Sequence, residues 1–196
     1  MSIFRKQIKT LLIFFLVFLP MAGSAQDTPE SRIIKVFAEM VKSLSDSDLS
    51  AGNCVANSTR FYRELEKHEL LDDDARIVLM VREPNQGMPN PMYPNKRFLR
   101  GSPANFWIWH AFVLTQNLVF DCNYKIDGEN LNNYFKNFWS TDRNFSSFWV
   151  FAVRIEDLPE ITGSNYPGGP PKMLRFKPIS PAQLLKNPRH LTRPGN

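Results

Sequence analysis

The chain has 196 residues, 43% of them hydrophobic, with a formal charge of +5, two cysteines and three histidines. That length suits one domain with a real core, and three histidines leave little for a metal site. There is no CxxC, HExxH, P-loop, GxGxxG or internal repeat, so several cofactor and metal classes have no motif to rest on.

The first 25 residues read as a leader. Arg5, Lys6 and Lys9 precede the apolar run "LLIFFLVFL", then Pro20 and small residues at Gly23 and Ala25. This is the pattern of a secretory signal peptide cut after Ala25. The apolar run is short for a membrane span, which needs about 20 residues, and no cysteine follows the cut to take a lipid. The expectation is a single domain over 26–196, secreted or periplasmic, with no stable membrane anchor. Losing the three basic residues of the leader lowers the charge from +5 to +2. What basicity remains sits late, in "PKMLRFKP" and "KNPRHLTRPGN", and reads as a solvated tail rather than a nucleic-acid surface.

The first mature helix is expected over "DTPESRIIKVFAEMVKSLS". Thr28 suits its cap and Pro29 its first turn, and Ile33, Val36, Phe37, Met40, Val41 and Leu44 form an apolar face. A second helix is expected from Asn53 or Cys54 to about His68, with Asn53 as N-cap and Phe61, Tyr62 and Leu65 facing inward. "DDDARIVLMVRE" reads as a solvated turn and a strand. Residues from about Glu83 to Asn105 are rich in Pro, Asn and Gly, and leave two readings open: a lid over a substrate, or a disordered insertion. "NFWIWHAFVLTQNLVFDCNY" reads as a hairpin with a tight turn near Gln116 and Asn117. "LNNYFKNFW" is a short helix with Leu131, Tyr134, Phe135 and Phe138 on one side. "SFWVFAVRI" is a strand whose near-continuous apolar run predicts a central position. "GSNYPGGPPKM" is irregular, and "SPAQLLK" is a terminal helix capped by Ser180. Helices followed by mostly antiparallel strands make an α+β domain.

Cys54, His110 and Asp121 form a nucleophile, a base and an orienting acid in that order. A helix N-terminus and a neighbouring imidazolium both favour the thiolate, the reactive form of a cysteine. A histidine among Trp109 and other aromatic residues needs a polar partner, and Asp121 is the nearest. A two-residue turn at 115–116 or 116–117 places His110 and Asp121 on one sheet face, opposite or diagonal; a three-residue loop without a bulge separates them. Two cysteines in an exported chain invite a disulfide. If Asp121 faces the site, however, strand alternation turns Cys122 away from Cys54 and leaves it a buried structural thiol.

At these residues the chain resembles the papain-like and transglutaminase-like superfamily, with a cysteine at a helix start and a histidine and an aspartate on adjacent antiparallel strands. The resemblance rests on "GNCVANSTRFYRELEKHELLDDDARIVLMV" followed by "HAFVLTQNLVFDCNY". It implies N-terminal helices packed on an antiparallel sheet. Two amidohydrolase families look closest: the protein N-terminal glutamine amidohydrolases, through Cys54, Asn57, Trp107 and His110, and the secreted protein-glutaminases, through the "W-aromatic-H" motif. The first family carries acids just after its cysteine and two before its histidine, where this chain has Val55, Ala56 and Ile108. The implied activity is deamidation of glutamine side chains in peptide or protein substrates through a thioester, with no cofactor and no metal. Asn57, Trp107 and Trp109 are the implied substrate-side residues. A cysteine peptidase or transglutaminase of the same fold, and a non-catalytic exported binding module, are the alternatives. Asn57-Ser58-Thr59 also matches a glycosylation sequon.

Overall fold

The computed structural model describes residues 27–49, 52–85, 88–101, 106–158 and 176–192. The expected leader and the irregular "GSNYPGGPPKM" stretch lie outside them. Two helices come first: α1, Pro29–Lys42, and α2, Cys54–Lys67. The strands are β1 (Arg76–Asn85), β2 (Met88–Asn90), β3 (Trp109–Thr115), β4 (Leu118–Phe120), β5 (Glu129–Asn130) and β6 (Phe148–Val153). Helix α3, Leu131–Tyr134, runs on into a π-turn, Phe135–Trp139; α4, Pro181–Lys186, comes last. The described residues form an α+β structure of helices and an antiparallel sheet.

Local signals explain the helix ends. Thr28 accepts a hydrogen bond from the Ser31 N–H at 3.1 Å, and Pro29 sits where its missing N–H costs nothing. Ile33, Phe37 and Met40 are buried about one turn apart, on one face. Ser180 and Gln183 cap α4 reciprocally.

The sheet runs β6-β1-β3-β4-β5, all antiparallel, with β2 folding back on the end of β1. Alternation along the strands divides the interior in two. Ile77, Leu79, Ala111, Val113, Phe151 and Val153 meet Phe37, Phe61 and Leu65 from α1 and α2. Val78, Met80, Phe112, Leu114 and Val150 meet Tyr134, Phe138, Trp139 and Leu184 on the other side. The sheet is therefore covered on both faces.

Strand β6 departs from expectation: it pairs with β1 alone and stands at the end of the strand order, not at its centre. Its outer edge is closed by a distant segment. Val150 bridges Ile179, the Ala152 N–H donates to Thr192 Oγ1 at 3.0 Å, and the Thr192 N–H donates to the Ala152 carbonyl at 2.7 Å. Both faces and the edge are thus covered, which produces the apolar run of a central strand at an edge position.

The described part of the Pro- and Asn-rich region is ordered, unlike a disordered insertion. Within its described part, Met92 and Trp107 exchange two backbone hydrogen bonds at 2.7 and 2.9 Å. The Asn95 N–H donates to the Phe138 carbonyl at 2.7 Å, and the Arg100 N–H to the Asn123 carbonyl at 2.8 Å. These bonds stitch the segment to the turn after α3 and to the chain leaving β4.

Candidate active site

The β3–β4 hairpin sets the site's register. Thr115 pairs with Leu118, so the turn is Gln116-Asn117, and both residues have positive φ, 50° and 61°. This is a two-residue primed turn, whose twist matches that of the strands. Val113 pairs with Phe120, which sets Asp121 one step beyond the last paired residue, diagonal to His110. The diagonal form of the parity argument is the one realised.

His110 Nε2 lies 2.7 Å from Asp121 Oδ2, with the two residues each 1% exposed. The carboxylate is held by two further donors. The Asn123 N–H donates to Oδ1 at 2.9 Å, and the Tyr134 hydroxyl donates to Oδ2 at 2.7 Å. The thiol of Cys54, the first residue of α2 and itself 5% exposed, lies close enough to the His110 ring to raise its pKa through hydrogen bonding and charge. With Nε2 engaged by Asp121, Nδ1 is the nitrogen left to face the sulfur. The three residues singled out in the sequence therefore converge.

Burial by itself pushes the His110 pKa down. The charge of Asp121, the hydrogen bond to it, and the hydrogen bond and charge of Cys54 act the other way and win, raising it from 6.5 to about 10. The ring is also stacked on Trp107, with centroids 4.8 Å apart and planes 18° from parallel, and it meets Phe138 and Trp139 edge-on or tilted. An indole face against an imidazolium adds a cation–π attraction to the packing.

The start of α2 is built differently from expectation. Asn53 stands at the N-cap position but makes no side-chain cap; its Nδ2 donates instead to the Ser47 carbonyl at 2.9 Å. Asn57 is buried, and its Nδ2 donates to the Asp48 carbonyl at 2.8 Å. Asn123 reaches the same loop, donating to the Leu49 carbonyl at 2.8 Å. Three asparagines thus hold the loop that delivers Cys54, and the first turn of α2 has no side-chain cap over its N–H groups. Asn57 is placed as a loop anchor, and Trp107, 4% exposed, as the backing of His110. Trp109 is half-buried against the helix-side cluster that contains Cys54.

Both cysteines are free and buried. Cys122 does take the face opposite Asp121, but that is the helix-side face of Phe120, and Cys54 belongs to the same cluster, so alternation does not part the two cysteines as expected. Burial, then the nearby Asp121 charge, raise the Cys122 pKa, so it is an inert thiol.

Tyr134 joins the site by its hydrogen bond to Asp121, although sequence reasoning placed it only as packing. The signal was its hydroxyl: one phenol in an otherwise apolar face of "LNNYFKNFW", which on burial requires a partner. No family model, curated protein or solved structure matches the chain.

Proposed function

We propose that the protein is an exported, thiol-dependent amidohydrolase on a transglutaminase-like core, deamidating glutamine side chains in peptides or proteins. The observation that carries the reading is the continuous chain from the Cys54 thiol through the His110 ring to the Asp121 carboxylate, in a buried site at a helix start. Nucleophile, base and orienting acid in hydrogen-bond sequence are what acyl transfer requires.

The Cys54 sulfur attacks the carboxamide carbon of glutamine, and the carbonyl oxygen becomes an oxyanion. The Cys54 backbone N–H, in a helix start with no side-chain cap, is the donor best placed for it. As the intermediate collapses the C–N bond breaks, and His110 gives its proton to the departing ammonia, leaving a thioester on Cys54. Water then attacks the thioester with His110 taking its proton. The C–S bond breaks, and glutamate and the thiol are released. Asp121 holds the ring in the required orientation throughout. Trp109, on the Cys54 side of the sheet, is the aromatic residue that would border the substrate.

The test is incubation with glutaminyl peptides, with ammonia and peptide mass both read. The expected result is ammonia release with an intact peptide backbone, lost by about 10⁴-fold or more in Cys54→Ala. Backbone cleavage would make the protein a peptidase, and coupling to an added amine a transglutaminase. No turnover, together with Cys54 alkylation no faster than that of a simple thiol, would leave a binding module.

A further inference from the structure

We infer that Tyr134 is a positioning residue for the site, setting the charge and orientation that Asp121 presents to His110. The inference rests on the acyl-transfer reading for its catalytic consequence, but not for its geometry. The Tyr134 hydroxyl and His110 Nε2 both lie 2.7 Å from the same oxygen, Asp121 Oδ2. Tyr134 is fully buried, on an element that contributes nothing else to the carboxylate. The Asn123 N–H holds the other oxygen, so the carboxylate is fixed at both ends.

A donor on Oδ2 does two things. It prevents the carboxylate from rotating away from the ring, and it draws off charge that would otherwise bind the imidazolium more tightly. A base that holds its proton too firmly is a poor acid for the leaving group. Tyr134 therefore moderates the pair. Its own hydroxyl stays protonated, since burial and then the Asp121 charge push its pKa well up. The other titratable groups in reach are Cys54 from α2, Tyr124 beside Tyr134, and Cys122 with Arg100 near Asp121. The indole N–H of Trp139 lies close enough to the Tyr134 oxygen to lower its pKa, without completing a full hydrogen bond.

The test is an NMR titration of the histidine rings in Tyr134→Phe, a change that keeps the ring contacts and removes one hydroxyl. The His110 midpoint is expected to rise by on the order of half a pH unit. A midpoint that stays or falls overturns the assignment. Phe112→Leu is the packing control: its ring lies 4.9 Å from that of Tyr134 and does not touch the carboxylate. It should lower stability and leave the His110 midpoint in place, and an equal shift there would overturn the role of the hydroxyl. On a glutaminyl peptide, Tyr134→Phe should lower kcat with KM unchanged. The titration uses no substrate, so a raised midpoint without any turnover would remove the amidohydrolase reading and leave the positioning role standing.

Discussion

His110 makes three kinds of contact with one ring: an acid at Nε2, a thiol on its other side, and an indole across its face. Each restricts a different freedom, namely tautomer, tilt and translation. Asp121→Asn removes the charge while preserving the shape. An amide presenting its NH₂ toward the ring would favour the wrong tautomer, and kcat on a glutaminyl peptide is expected to fall by roughly 10³–10⁴-fold with KM little changed. The same variant should bring the His110 midpoint down from about 10 toward its ordinary 6.5, because the attractive charge that overcomes burial is gone. These residues were readable in advance because hairpin parity is strict: a two-residue turn admits only registers that put positions 110 and 121 on one face. Asn53 was not. Its amide can accept from a helix N–H through Oδ1 or donate to a loop carbonyl through Nδ2, and which role is filled depends on where Ser47 lies after the loop has folded.

The loop entering α2 is the element on which delivery of the thiol depends. Gly52 has φ of 106°, a backbone conformation that side chains resist, and a Cβ there would meet nothing within 4 Å. Gly52→Ala therefore tests backbone strain alone. It should destabilise by about 1–3 kcal/mol or move the helix start, and either effect would be read as a lower denaturation midpoint or slower Cys54 alkylation. A second element-level device lies at the end of β1. Arg82 and Asp142 form a buried ion pair, and Asp142 Oδ2 also accepts the Tyr93 N–H at 2.7 Å. The guanidinium lies over Phe148 at 5.5 Å and Tyr93 at 5.8 Å. The pair locks the start of the 88–101 segment to the turn that follows α3. Asp142→Ala leaves the Arg82 charge buried without its counter-ion, and denaturant unfolding should show a loss of about 3–5 kcal/mol. Nothing in the local pattern announced this pair, since its members are 60 residues apart. The same holds for the closed edge of β6: an apolar run records that a strand is covered, not by which part of the chain.

Across the whole molecule, folding tightens the hold of His110 on its proton. A group whose pKa is raised on folding stabilises fully below its unfolded value and loses that contribution as pH rises through the folded one. The unfolding free energy should therefore decline from about pH 6.5 through about pH 10, and urea titrations should show the decline flattened in Asp121→Asn. The helices, the hairpin and the α+β arrangement were legible because each is fixed by periodicity, capping or turn chemistry within a few neighbouring residues. The two-sided covering of the sheet and the stitching of the Pro-rich region depend on long-range backbone pairs such as Asn95 with Phe138, which no local pattern encodes. The stack of Trp107 on His110 has an optical side. An excited indole loses its energy readily to a protonated imidazole in contact with it and much less to a neutral one. The chain thus has a built-in lamp beside its base, dim while the ring is charged and brighter once the proton leaves, so that the state of the site can be followed by light without label or substrate.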